Sequence, residues 1–112
     1  MRKLRRMEKN FNSLQAFQLA IKLEYLLNRL PIGNKTSQDE IRANPAETIG
    51  NALHRFAVAE PAYSKTALSI ADHFEDFSGL DLDAAIEKDT AWLADLTEQL
   101  ETLSNVFVEE DK

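Results

Sequence analysis

The stretch IADHFEDFSGLDLD, residues 70–83, holds the densest group of side chains that could do chemistry: five carboxylates and one histidine in fourteen positions. Carboxylates and imidazoles bind metal ions and transfer protons. On a helix, Asp72 and Asp76 share a face, as two metal ligands would. His73 points about 100° away from Asp72, and neither a His-Glu-x-x-His motif nor a calcium loop with a glycine at its sixth position is present. We therefore interpret the stretch as a solvated acidic face with capping aspartates, with a loose divalent-cation site as the alternative, and predict no metal ligands and no cofactor.

Catalysis is not expected from the rest of the chain either. General acid–base chemistry would need His54 or His73 beside a carboxylate in a cleft, for which a small helical bundle has little room. The three glycines are scattered and form no phosphate-binding loop. No sharp strand-to-helix turn for a nucleophilic serine is recognisable. We predict that the protein is not an enzyme and has no catalytic residues.

The bulk composition predicts one globular domain. The chain has 112 residues, 44% of them hydrophobic, and contains no cysteine, which excludes a disulfide framework and favours the reducing cytoplasm. No run approaches the roughly 18 apolar residues of a membrane span. The basic start leads into no apolar signal core, so a secretory leader is not expected.

Hydrophobic periodicity predicts the fold class. Two rows that alternate steps of four and three residues are apolar except at Glu60 and Asp89. The first row takes positions 49, 53, 56, 60, 63, 67, 70, 74 and 77, and the second takes 82, 86, 89, 93, 96, 100, 103 and 107. This spacing keeps side chains on one helix face and is typical of coiled-coil-like seams. We predict an all-α protein, an antiparallel bundle of three to four helices.

Capping residues predict where the helices begin and end. We expect a helix over about 4–30, a loop over 31–44, a helix over about 45–77 that is kinked or broken at Pro61, and a helix over about 82–108. Asn44, followed by Pro45 and Glu47, marks a helix start. The second apolar row does not continue the spacing of the first, and the shift falls at residues 78–81. Glycine there suits a left-handed cap at the end of one helix, and Asp81 or Asp83 suits the N-cap of the next. The apolar face expected for the first helix is Leu4, Met7, Phe11, Leu14, Ile21 and Tyr25.

Charge is unevenly distributed along the chain. Residues 1–9 carry a net +4 and residues 72–112 a net −11, within an overall charge of −6. We identify the basic residues as a candidate site for an anionic ligand or a partner, either nucleic acid or an anionic membrane. The alternatives are a solubilising helix face or pairing with the acidic end of a chain. The residues of this basic arm are Arg2, Lys3, Arg5, Arg6 and Lys9.

Three further residues are candidates for partner contact or register. Glu60 and Asp89 interrupt apolar rows, either because each lies where water enters or because a polar seam residue selects a register or a partner. Trp92 lies at the edge of its seam. It packs there as a rim residue or anchors a partner, since tryptophan is enriched at interface hot spots.

One resemblance follows from these rows. The run IGNALHRFAVAE (49–60), followed by residues 66–100 with their internal Lys88-Asp89 pair, resembles the first-to-second helix region of BAR domains of the sorting-nexin type. That region joins a helix end rich in small and aromatic residues to a long helix across a break. The resemblance implies a dimer built as a crescent-shaped helical bundle that senses or bends membranes.

Together these observations predict a non-catalytic helical interaction or scaffolding module that self-associates, with a homodimer as the expected form. A BAR-like protein that binds a membrane surface through the basic arm is the first alternative. The second is a small regulator that binds nucleic acid or, through its acidic last helix, a basic protein.

Overall fold

The chain is built from helices. A computed structural model describes the backbone of residues 2–33 and 35–110 and the side chains of residues 14–33 and 35–110. The prediction of an all-α protein is confirmed for this part of the chain, which contains no strand. The helices are α1 (Arg2–Asn28), α2 (Gln38–Ala43), α3 (Pro45–Ala59), α4 (Ser64–Phe74) and α5 (Leu82–Glu110), with 3₁₀ turns at Pro61–Tyr63 and Glu75–Phe77.

Short polar residues begin three of the helices. The side chain of Ser37 accepts the Glu40 N–H of α2 at 3.2 Å, and that of Asn44 accepts the Glu47 N–H of α3 at 3.4 Å. Of the two aspartates predicted to cap the last helix, the first does so: the Asp81 carboxylate accepts the N–H of residue 84 at 2.8 Å. Each bond satisfies a backbone donor that the first turn leaves without a partner.

Two breaks shape the middle of the chain. At the first, α3 ends at Ala59, and Pro61 starts a separate 3₁₀ turn, so the helix predicted over residues 45–77 is broken there. Because of this break, α4 folds back along α3. The contact between these two helices is the most extensive one between the described helices. At the second, Gly79 has a φ of +80°, a conformation that strains any residue with a Cβ.

Helix α5 is bent at Asp89. This residue has φ −162° and ψ 84°, which is extended backbone inside a helix. Its carboxylate accepts the N–H of Trp92 at 2.9 Å, so it caps the segment 90–110 as an N-cap would. The bend thus has a local cause, a capping side chain inserted into the helix.

The two apolar rows of α3, α4 and α5 meet in one core. The buried members are Ile49, Leu53, Phe56, Ala67, Ile70, Phe74 and Phe77 of the first row, and Leu82, Ile86, Leu93, Leu96, Leu100, Leu103 and Phe107 of the second. At one end of the core, the rings of Phe56, Tyr63 and Phe107 pack together with centroids 5.3–5.9 Å apart, and Phe107 meets the other two edge-on. These seams are therefore filled within the chain.

The face of α1 expected to be buried lies outward, which corrects the sequence analysis. Leu14, Ile21 and Tyr25 are exposed, while the side chains of Leu4, Met7 and Phe11 lie outside the described residues. The buried face of α1 is instead formed by Ala16, Ala20, Leu23, Leu26 and Leu27, and Leu30 just after the helix is buried with them. Alanines let a helix approach its neighbour closely, and the leucines beside them then fill the core.

Helices α1 and α5 lie side by side and run in the same direction. Lys22 pairs with Glu101 at 3.6 Å, and Arg29 Nη1 donates to Asn105 Oδ1 at 2.9 Å, so the contact partners rise in number along both helices. The antiparallel bundle of three to four helices is therefore not confirmed. The fold is elongated, with extents of 52 × 23 × 22 Å.

Candidate interaction surface

Four large apolar side chains form a line on the outer face of α1. They are Leu14 (56% exposed), Phe17 (46%), Ile21 (42%) and Tyr25 (62%). Steps of three and four residues keep them on one helix face. We call this line the α1 stripe. Helix α1 thus has two apolar faces, one packed in the core and one open to solvent.

No comparable line occurs on the other helices within the described residues. Outside α1, the large apolar side chains that are exposed are Val58 of α3 and Val106 of α5, each standing alone. Single exposed apolar residues are ordinary on protein surfaces, whereas a contiguous patch marks an interaction site. The α1 stripe is therefore the surface feature that most requires a functional explanation.

Charged groups flank the stripe at its C-terminal end. The guanidinium of Arg29 lies 5.4 Å from the centre of the Tyr25 ring, within the range of a cation–π contact. The same residue is hydrogen-bonded to Asn105 of α5, and Lys22, about two turns earlier, is paired with Glu101. The edge of the stripe nearest α5 is therefore lined by groups already held in place by that helix.

The basic arm occupies the start of α1. The helix begins at Arg2, so the arm and the stripe belong to one continuous helix. The side chains of Arg2, Lys3, Arg5, Arg6 and Lys9 lie outside the described residues, and their predicted role stays a prediction.

The acidic residues of the stretch 70–83 have separate positions and contacts in the fold. Asp76 accepts a hydrogen bond from Trp92 Nε1 at 2.9 Å, and its backbone carbonyl accepts one from Lys88 at 2.5 Å. Asp72 and His73 are exposed on α4. Among residues 14–33 and 35–110, no three histidine or acidic side chains come together as a metal site would need.

Trp92 joins α5 to the end of α4. It is half-buried, and its ring meets His73 edge-on with centroids 5.2 Å apart. The contact lies just after the bend at Asp89 and, with the hydrogen bond to Asp76, connects the two helices. The indole is therefore engaged within the chain, and its predicted contact with a partner stays a prediction.

The two polar residues of the apolar rows both lie at helix breaks. Glu60 is half-buried and follows the last residue of α3, where its N–H bonds to the Phe56 carbonyl at 2.8 Å. Asp89 is exposed at the bend of α5. Neither side chain is buried in the core, and a role in register or partner choice stays a prediction for both.

The open groove between α3 and α4, about 530 Å³ in volume, includes Asn51, His54 and Glu75 in its lining. His54 is exposed at this groove. The expectation that the protein has no catalytic residues stays a prediction.

The open stripe was not predicted from the sequence, although a signal for it was present. Positions 16, 20, 23, 27 and 30 read Ala, Ala, Leu, Leu and Leu, and their steps alternate between four and three. Applied to α1, this spacing would have found the core-facing row and left Leu14, Phe17, Ile21 and Tyr25 as a second row without a partner.

Comparison with known proteins gives no family model, no curated protein and no solved structure that matches the chain. The resemblance to BAR domains of the sorting-nexin type stays a prediction. Within the described residues, no helix combines the length and the apolar character needed to cross a bilayer.

Proposed function

We propose that this protein is a non-catalytic helical interaction module that self-associates through the α1 stripe. One observation carries the proposal: four large apolar side chains, each between 42% and 62% exposed, stand in line on a helix whose opposite face is already buried. Aromatic residues are enriched at interface cores, and two of the four are aromatic.

The packing of the other helices supports the same surface. The apolar rows of α3, α4 and α5 are buried in the core, so a partner has little apolar area to cover on them. Covering the stripe removes apolar surface from water, and this is the dominant favourable term in most protein association.

Sedimentation equilibrium over a range of micromolar concentrations tests the proposal. The wild-type chain is expected to associate, and the double variant Phe17→Gln, Ile21→Gln to sediment as a monomer. Val58→Gln is the matched control, because Val58 is an apolar side chain on α3 that is 82% exposed and lies outside the stripe. Circular dichroism checks that each variant keeps its helices.

Two results would contradict self-association. One is a wild-type chain that stays monomeric at high micromolar concentration. The other is a stripe variant that associates as strongly as the Val58→Gln control.

An anionic membrane surface is the second candidate partner. The observation that favours it is the continuity of α1, on which a basic start precedes an exposed apolar line, as in helices that lie on a bilayer. Co-sedimentation with vesicles of anionic and of neutral lipid, with and without residues 1–9, tests this candidate. Equal binding of both chains to anionic vesicles would exclude a role for the basic arm.

A further inference from the structure

We infer that the α1 stripe receives a second copy of this chain in an antiparallel, two-fold arrangement, with the basic start of each α1 beside the acidic end of the partner's α5. The inference rests on the proposed self-association and adds the orientation of the two copies. The shape of the stripe, the direction of α5 and the distribution of charge carry it.

The stripe is suited to pairing with itself. Phe17 and Ile21 lie at its middle, and Leu14 and Tyr25 lie at its ends. In an antiparallel pair centred between positions 19 and 20, each end of one stripe meets the opposite end of the other, and each middle residue meets a middle residue. A two-fold interface needs such a self-complementary patch, and it closes without leaving a stripe free for a third copy.

Charge selects the antiparallel direction. A parallel pair would bring together the two basic arms, each with a net +4 over residues 1–9, and the like charges would repel. An antiparallel pair instead brings the arm of one copy to the far end of the other copy's α1. Since α1 and α5 run in the same direction, with Arg29 beside Asn105, the C-terminal end of α1 lies near the C-terminal end of α5. The arm of one copy therefore comes close to the C-terminal end of the other copy's α5.

The end of α5 is acidic on its outer side. Glu109 and Glu110 are both exposed there, with Glu110 accepting a hydrogen bond from Tyr63, and Glu101 is held by Lys22 at the border with α1. In the antiparallel pair, position 9 of one α1 is level with about position 30 of the other, close to the height of Asn105. The arm then extends along the last turns of the partner's α5, where its cations can attract the acids over roughly 8 Å at physiological salt.

The size of the surface agrees with a contact that includes the arm. The four stripe side chains expose on the order of 400 Å² of apolar surface, about half of the ~800 Å² that each partner contributes to a standard interface. Helix α1 has 27 residues and is therefore about 40 Å long. Its remaining length, which carries the arm, can supply the other half of the contact.

Spin labels on single cysteines test the orientation, since the chain has no cysteine of its own. Gln18→Cys places a label near the proposed axis and Arg29→Cys places one near the end of α1. In the antiparallel pair the labels at position 18 are roughly 5 Å apart along the helix axis and those at position 29 roughly 28 Å apart, whereas a parallel pair separates neither along the axis. Pulsed and continuous-wave electron paramagnetic resonance measures both separations at a concentration where sedimentation shows a dimer.

Charge reversal tests the contact between the arm and α5. The change Arg5→Glu with Arg6→Glu, or Glu109→Lys with Glu110→Lys, should each weaken the dimer by roughly tenfold. Combining the two pairs should restore much of the lost affinity, because opposite charges face each other again.

The control reverses Asp72 and Glu75, two exposed acids at the other end of the fold, to lysine. This control alters the net charge as much as the α5 variant does and should not weaken the dimer. A dimer whose labels are equally close at both positions, or in which the combined reversal restores nothing, overturns the antiparallel contact and leaves the proposed self-association standing. A chain that is monomeric in sedimentation, or that binds vesicles but not itself, overturns both the antiparallel contact and the proposed self-association.

Discussion

Replacing Leu23 with alanine should destabilise the folded chain far more than replacing Ile21 with alanine, because the two residues lie on opposite faces of α1. Leu23 is 0% exposed, whereas Ile21 is 42% exposed. A fully buried leucine shortened to alanine costs about 3 kcal/mol or more, part of it from the cavity left behind. For the half-exposed Ile21 we expect at most about 1 kcal/mol, partly offset by the higher helix propensity of alanine.

Urea unfolding followed by circular dichroism measures this difference. With a denaturant slope near ~1.5 kcal/mol per molar, Leu23→Ala should lower the midpoint by about 2 M. The comparison is made at low protein concentration, where association does not contribute to stability. At high concentration the wild-type chain should gain stability that Ile21→Ala lacks, because association stabilises the folded state by mass action.

The reasoning is refuted if Ile21→Ala costs as much free energy of unfolding as Leu23→Ala at low concentration. That result would mean that the face expected from the sequence, with Leu14, Ile21 and Tyr25, is the one that packs in the core. The α1 stripe would then not exist as an exposed surface.

Two matched pairs of substitutions test the helix breaks by the same unfolding measurement. Gly79→Ala should destabilise the chain by about 1 kcal/mol, because Gly79 has a φ of +80°, while Gly50→Ala inside α3, where an added Cβ meets no atom within 4 Å, should stabilise it by about 0.5–1 kcal/mol. A Gly79→Ala variant as stable as the wild type would contradict the left-handed conformation. Asp89→Ala should cost about 1 kcal/mol by removing the cap on the N–H of Trp92, and Asp95→Ala, an exposed acid in the same helix, should cost much less. Equal effects of these two would show that Asp89 is not a cap.

The helix boundaries could be predicted because they depend on local chemistry. A capping side chain and the N–H that it satisfies are three residues apart, as with Asn44 and Glu47, so the sequence alone brings them together. The same holds for the left-handed glycine at position 79. The caps of α3 and of the start of α5 were recognisable for this reason, whereas α2 lies in the stretch 31–44 that was expected to be a loop, and the choice between a kink and a break at Pro61 was left open.

The orientation of α1 could not be decided in this way. Its outer row of large side chains and its row of alanines and leucines are both amphipathic patterns, and periodicity does not say which of two apolar faces packs inward. The choice depends on the space that the rest of the fold leaves for α1, and the small, buried Ala16 and Ala20 suit a close approach between helices. The shared direction of α1 and α5 likewise depends on the tertiary arrangement, which the spacing of residues along one helix does not specify.

The junction around Trp92 gives the molecule two separate optical reporters. Trp92 is the only tryptophan, and it senses the place where His73 and Asp76 of the α4 end meet the bend of α5. Tyr63 lies in the aromatic cluster with Phe56 and Phe107, near the opposite end of α5. In a Tyr25→Phe variant, whose remaining tyrosine is Tyr63, indole and tyrosine emission can therefore show, without any added dye, whether the two ends of this elongated fold loosen together or one before the other.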